Sequence, residues 1–112
     1  MNIKEVVEAL EKFAPLPLQE GYDNAGLQIG LTGSKCSGAL LCLDVTESVI
    51  EEAVREGFNL IIAHHPLLFR GLKCIADTTY VERCVRLAIR HDICIYAAHT
   101  NLDNTHEGVS HE

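Results

Sequence analysis

The chain has 112 residues, 47% of them hydrophobic, and a formal net charge of −7. This is the size of one domain with enough apolar residues for a core, and the acidic balance argues against a sequence-independent nucleic-acid-binding surface. No apolar run approaches the roughly 18 residues that cross a bilayer, and residues 1–5 resemble neither a secretory signal nor a transit peptide. We therefore expect a single domain over residues 1–112, located in the cytoplasm and without membrane contact.

The hydrophobic pattern predicts elements that alternate between helix and strand. In three segments, apolar residues recur at helical spacing with polar residues on the opposite face. The three strand segments from residue 39 onward are short and nearly continuously apolar, as strands are when both faces of a parallel sheet are covered. In chain order, the prediction is a helix over 2–13, strands over 26–29 and 39–43, a helix over 46–56, a strand over 59–63, a helix over 78–91 and a strand over 93–98.

Local residues mark where these helices begin and end. Asn2 and Thr46 are predicted N-caps, and acidic residues follow Thr46, where the helix dipole favours them. Pro15 and Pro17 end the first helix. Gly57 is the predicted stop of the second helix, because glycine readily adopts the left-handed conformation found there.

The last three strands and the two helices between them form a strand–helix–strand–helix–strand unit. Right-handed crossovers would place these strands side by side and parallel. We therefore expect an α/β fold: a largely parallel sheet with βαβαβ order, helices on both faces and a preceding N-terminal helix. Ligands bind at the carboxyl edge of such sheets. The polar residues expected to converge there are Asp44, His64, His65, His99 and Asp103.

Two adjacent histidines, His64 and His65, end the strand over 59–63, and Pro66 keeps the chain extended beyond them. Neighbouring strand residues point to opposite sides, so each imidazole could face its own ion or ligand. With Asp103 as a bridging carboxylate, these residues predict a site for divalent metal ions, two per complete site, with zinc, iron or manganese as candidates. The simpler interpretation is that the histidines cap the strand and bond to backbone carbonyls.

The other candidates have structural interpretations as well. Asp44 precedes a helix cap, where aspartates commonly bond backbone donors, and that role is favoured for it. His99 is expected to orient a neighbouring group rather than to bind metal directly, and in a catalytic site it would orient the site or relay a proton. Cys42, Cys84 and Cys94 occupy apolar positions and are expected to pack as small hydrophobic residues.

Four segments together resemble the NGG-interacting-factor-three-like family, whose members carry the name GTP cyclohydrolase I type 2 homologue. The resemblance covers the whole chain in order and implies a dinuclear-metal α/β fold that assembles into a toroidal hexamer. It also implies that His64, His65 and Asp103 bind metal directly, with His99 close by and Asp44 lining the pocket. The segments are 23–30 (DNAGLQIG), 43–46 (LDVT), 64–69 (HHPLLF) and 99–103 (HTNLD).

The sequence also departs from the family pattern. The family's remaining ligands, a histidine and a glutamate spaced HxxxE, have no counterpart here, because neither His106-Glu107 nor His111-Glu112 has that spacing. We therefore expect the chain to be the amino-terminal portion of a longer family protein, with an incomplete ligand set. Fewer ligands mean a more open and weaker metal site.

Two functions follow from these residues and the resemblance. The first is a metal-dependent hydrolase in which a metal pair activates water against a nucleotide-like substrate such as GTP, or another small molecule. The second is a non-enzymatic metal-binding or regulatory protein that acts through a protein partner. A homo-oligomer is expected in either case, and the resemblance implies a toroidal hexamer.

Overall fold

The computed structural model describes residues 1–13, 26–30, 32–68 and 71–98. Every predicted helix and strand is present in these ranges, within two residues of its predicted bounds. None of the helices in the described ranges is long and apolar enough to cross a membrane. The elements are α1 (Ile3–Phe13), β1 (Gly26–Ile29), β2 (Ala39–Cys42), α2 (Glu47–Glu56), β3 (Leu60–Ala63), α3 (Tyr80–Arg90) and β4 (Cys94–Ala97).

The four strands form one sheet in the order β1-β4-β3-β2. β2 pairs with β3 and β3 with β4 in parallel, whereas β1 pairs antiparallel with β4. The sheet is therefore mixed, and the prediction that it is largely parallel is wrong. The βαβαβ unit has the predicted directions because its helical crossovers impose them. β1 comes before that unit, and its four-residue sequence, GLQI, carries no information about the direction in which it pairs.

The predicted helix caps are confirmed. Asn2 Oδ1 accepts a hydrogen bond from the Glu5 N–H at 2.9 Å, and Glu5 Oε1 accepts one from the Asn2 N–H at 2.8 Å, which is a reciprocal capping box. Thr46 Oγ1 accepts from the Val49 N–H at 3.2 Å. Gly57 ends α2 with φ +75°, in the left-handed region.

Helices lie on both faces of the sheet. On one face, α2 and α3 contribute Ile50 and Val85 to a core cluster that includes Ile61 of β3. On the other face, α1 contributes Ile3 to a cluster with Tyr96 of β4. Burying each large aliphatic side chain contributes about 1.5–3 kcal/mol, so β3 and β4, which are covered from both sides, gain more from burial than the outer strands do.

The outer strand β2 is covered less completely than its neighbours. Its face toward α2 and α3 is packed, because Leu40 and Cys42 contact that core cluster. On the α1 face, Leu41 is 75% exposed, and Leu43, just beyond the strand, is 67% exposed. This apolar surface lies next to the carboxyl edge at which the predicted site residues are expected.

Candidate metal site

The two histidines follow β3 on a stretch of backbone that is still bonded to the β2 side of the sheet. The His64 N–H donates to the Cys42 C=O at 3.0 Å, and the His65 N–H donates to the Leu43 C=O at 2.9 Å. The bonded register therefore extends two residues past the end of β3 and one residue past the end of β2. Its backbone hydrogen bonds hold the Cα positions of both histidines at the carboxyl edge, as predicted.

The loop after the histidines is tied to β1 by a side chain. Gln28 Oε1 accepts a hydrogen bond from the Leu68 N–H at 2.9 Å, across a separation of 40 residues. Leu67, next to Leu68, is buried in the core cluster beneath α2 and α3. β1, whose antiparallel direction was not predicted from the sequence, thus supports the segment that carries the two histidines.

The rings of His64 and His65 lie close together. Their centroids are 4.9 Å apart and their planes are inclined by 59°. His64 is half-buried and lines a shallow, mostly apolar pocket of about 420 Å³ with Leu41, Leu43 and Ile62, whereas His65 is exposed. Because β3 has already ended at Ala63, the two side chains do not diverge to opposite faces as strand residues would. The two imidazole rings therefore lie side by side at the carboxyl edge.

Asp44 is the partner of His65. Asp44 Oδ1 and His65 Nδ1 are 2.8 Å apart. An ionised carboxylate has no proton to donate, so the imidazole is assigned as the Nδ1–H donor, and the nitrogen through which His65 would bind a metal is Nε2. The two side chains are 46% and 69% exposed, for His65 and Asp44. A pair this exposed contributes only about 0–1 kcal/mol to stability, so its main consequence is the orientation of the ring.

The favoured sequence interpretation of Asp44, a loop or cap residue, missed this contact. The cap of α2 is Thr46, and Asp44 bonds to an imidazole instead. The signal was present in the sequence, because Asp44 stands two residues after Cys42 and His65 stands two residues after Ala63. Cys42 and Ala63 are register partners in parallel strands, so equal distances beyond them bring the two side chains together.

The remaining predicted residues, His99 and Asp103, lie outside the described residues, and their roles stay predictions. Within residues 1–13, 26–30, 32–68 and 71–98, no three His, Cys, Asp or Glu side chains form a group that could hold a metal ion. The described part of the site is thus two imidazoles and the carboxylate that contacts one of them. Imidazole and carboxylate groups suit a divalent ion of the zinc, iron or manganese type, and a ligating histidine often donates its other ring N–H to a carboxylate, so these residues fit part of such a ligand set.

The cysteines of the apolar segments have packing roles, as predicted. Cys84 and Cys94 are fully buried, and Cys42 is half-buried. Loss of hydration on burial raises the pKa of the Cys84 thiol to about 11, and the pKa values of Cys42 and Cys94 are also raised, chiefly by burial. These thiols stay protonated near neutral pH, which disfavours them as metal ligands because the thiolate is the form that binds metal.

Comparisons with known proteins agree with the resemblance read from the sequence. The family described as Duf34/NIF3 (NGG1p interacting factor 3) matches residues 1–112. The GTP cyclohydrolase 1 type 2 homolog of Halalkalibacterium halodurans is 45% identical over 109 residues, which are 97% of this chain and 29% of that protein.

Two solved structures share the fold. A Staphylococcus aureus protein superposes with a TM-score of 0.92 at 39% identity, covering 97% of this chain and 35% of that one. A Bacillus cereus protein related to NIF3 superposes with a TM-score of 0.86 at 43% identity, covering 92% and 28%. The chain therefore spans about a third of the length of each of these relatives.

Proposed function

The chain belongs to the Duf34/NIF3 family, and from this premise we propose that it binds divalent metal ions at the carboxyl edge of its sheet and takes part in metal-dependent hydrolysis of a nucleotide-like substrate. The observation that carries the proposal is the pair of adjacent imidazoles, with His65 bonded to the Asp44 carboxylate at 2.8 Å. The reaction class is taken from the relatives, whose name is GTP cyclohydrolase 1 type 2 homolog.

The proposed ligands are His64, His65 and Asp103. His65 would bind through Nε2, because its Nδ1 is bonded to Asp44. Asp103 would hold or bridge the ions, and His99 would orient the site or relay a proton. A bound divalent ion supplies a Lewis acid that makes water nucleophilic at neutral pH. The half-buried position of His64 beside Leu41 and Leu43 gives one side of the site an apolar wall.

Metal content per chain tests the proposal directly. We expect the purified protein to retain a divalent metal in elemental analysis, and Zn²⁺ or Mn²⁺ to bind the metal-stripped protein in calorimetry. His64→Ala and His65→Ala should each weaken binding by more than the roughly 10–100-fold that is typical of residues outside the ligand set. Wild-type protein that binds neither ion would contradict the proposal.

His91→Ala is the matched control for these variants. His91 is an exposed histidine at the C-cap of α3, and it precedes β4, so it lies toward the opposite edge of the sheet from residues that follow β3. The substitution removes the same imidazole without touching the site. We expect His91→Ala to bind metal as the wild type does, which would show that the loss in the other variants is local.

Turnover of GTP, followed by chromatography of the products, tests the hydrolytic part. We expect activity that is lost on chelation, restored by metal and abolished by His64→Ala. Turnover that survives both chelation and His64→Ala would contradict a metal-dependent reaction. Metal binding without turnover across a nucleotide panel would favour the alternative function, a non-enzymatic metal-binding or regulatory protein.

We also propose that the protein associates with copies of itself. Among the described strands, β2 pairs only with β3, so its outer edge carries backbone groups that a second chain could pair with. Leu41 and Leu43 add exposed apolar area beside that edge. Light scattering should give a mass that is a multiple of 12.3 kDa, and Leu41→Lys should reduce it. A mass of one chain at all concentrations would contradict this.

A further inference from the structure

The register between β2 and β3 places Asp44 next to His65. β2 and β3 are parallel, with Cys42 opposite Ala63, and the backbone bonding continues to Leu43 and His65. The contact is therefore set by two strands that are anchored in the core. The backbone positions of both residues thus allow the carboxylate to meet the ring at 2.8 Å.

The other roles open to Asp44 are already filled. The N-cap of α2 is Thr46, whose Oγ1 accepts from the Val49 N–H, so α2 does not depend on Asp44 for its first turn. Asp44 itself is exposed, with a side chain 69% accessible, so it does not support the core. Its contact with the imidazole at 2.8 Å is the interaction that remains to be explained.

We propose that Asp44 is a positioning residue that holds His65 in the Nδ1–H tautomer, with Nε2 as the ligand atom. This inference rests on the proposed metal-binding function. A carboxylate bonded to the far nitrogen of a ligating histidine fixes the tautomer and the ring orientation and raises the basicity of the ligating nitrogen. Asp44 does not contact the metal in this arrangement, and it acts only through His65.

The first experiment uses the metal-stripped protein. Nitrogen-15 NMR of the histidine side chains should show neutral His65 as the Nδ1–H tautomer in the wild type. In Asp44→Ala the carboxylate acceptor is gone, so the Nε2–H form should become prominent. Asp44→Asn keeps an oxygen acceptor without the charge, and should retain more of the Nδ1–H form than Asp44→Ala. A His65 spectrum that is the same in wild type and Asp44→Ala would overturn the inference.

The second experiment measures binding of Zn²⁺ by calorimetry. Asp44→Ala should lower the affinity by roughly 10–100-fold, the usual effect of losing such a partner, and less than His65→Ala does. Asp92→Asn is the matched control for a lost negative charge. Asp92 is exposed and precedes β4, toward the opposite edge, and asparagine tolerates its left-handed φ of 54°. We expect Asp92→Asn to bind Zn²⁺ as the wild type does.

The two experiments separate the inference from the function on which it rests. If the wild type binds no metal, the proposed function fails whatever the NMR result. If the wild type binds Zn²⁺ and Asp44→Ala binds it equally well, the proposed function survives and the positioning role is overturned. A similar loss in Asp92→Asn and in Asp44→Ala would also overturn it, because the effect would then be one of net charge.

Discussion

The packed body of the domain and the carboxyl edge of its sheet use the same functional group, a carboxylate, in opposite ways. In the body, Glu82 of α3 is 6% exposed and accepts hydrogen bonds from the Ala76 N–H and the Thr79 hydroxyl, both at 2.9 Å, and from the Cys74 thiol at 3.5 Å. At the edge, Asp44 is exposed and bonds to the His65 ring.

The difference shows how to distinguish structural from functional polar groups in this molecule. A buried carboxylate whose oxygens accept several local donors holds a loop against a helix, and removing it leaves donors unsatisfied. An exposed carboxylate that bonds to an imidazole contributes little to stability but can orient that ring. Substitutions in the body should therefore lower the free energy of unfolding and leave metal binding unchanged. Substitutions at the edge should weaken metal binding and leave the free energy of unfolding nearly unchanged.

The largest effect on unfolding is expected for Gly30→Ala. Gly30 has φ +115°, and a Cβ there would lie 2.5 Å from Cys94 Sγ and 2.7 Å from Cys94 Cα. The second contact is with the backbone of a buried strand, which cannot move away. Strain and overpacking each typically cost about 1–3 kcal/mol. We therefore expect the free energy of unfolding, measured by urea denaturation, to fall by roughly 3 kcal/mol.

Gly33→Ala is the control for this substitution. A Cβ at Gly33 would meet nothing within 4 Å, so the free energy of unfolding should stay within about 0.5 kcal/mol of the wild type. If both alanine variants were equally stable, the close approach of residue 30 to β4 would not be a feature of the folded protein.

The next effect concerns Glu82 and pH. The bond from the Ala76 N–H and then that from the Thr79 hydroxyl lower the pKa of the Glu82 carboxyl below its ordinary value of 4.5. A group whose pKa is lower in the folded state stabilises it fully above the unfolded value, and this contribution is lost as the pH falls through the folded pKa.

Glu82→Gln tests this sign, since glutamine does not titrate. At pH 7 the variant should melt at a lower temperature than the wild type in circular dichroism. The difference should shrink as the pH falls from 4.5 through the lower pKa of the folded state, because the unfolded wild type takes up the proton first and the folded wild type then does so. A difference that stays constant from pH 7 to pH 3 would contradict the assignment. Zn²⁺ binding at pH 7 should be unchanged, which separates the body from the edge.

These effects differ in how far the sequence could have anticipated them. Helices and strands were predicted within two residues because their apolar periodicity and caps, such as Thr46 and Gly57, are local signals. The antiparallel direction of β1 was not predicted, because it depends on where an edge strand docks. The approach of Gly30 to Cys94 requires the register between β1 and β4, which includes a shift between Leu27 and Ile29, and nothing local in the sequence encodes it.

The site was predictable to a similar degree. Convergence of polar residues at one edge follows from parallel strands, and the structure brings Asp44, His64 and His65 together there. The Asp44–His65 contact could also have been predicted by counting two residues beyond each strand, once β2 and β3 were assumed to start in register. The closeness of the two imidazole rings could not, because it depends on how the chain bends after Ala63.

A smaller effect on stability is expected for the cap of α2. Thr46→Ala removes the oxygen that accepts from the Val49 N–H, and N-cap replacements of this kind cost about 1 kcal/mol. Ser48→Ala, at an exposed position on the same helix, is the control and should be neutral or slightly stabilising, since alanine is the better helix former. Equal stability of the two variants would mean that the Thr46 bond contributes nothing. Neither variant should alter Zn²⁺ affinity.

The smallest effect on stability, and the sharpest test of the comparison, is expected for His65→Ala without metal. His65 is exposed and its pair with Asp44 is accessible to water, so unfolding should change by no more than about 0.5 kcal/mol. Added metal should then separate the two proteins. Zn²⁺ at 100 times its dissociation constant stabilises a protein that binds it only when folded by about 2.7 kcal/mol, so the wild type should melt at a higher temperature while His65→Ala shifts far less. Equal shifts in melting temperature would mean that the ion binds elsewhere. A large loss of stability in metal-free His65→Ala would mean that this edge stabilises the fold as the packed body does.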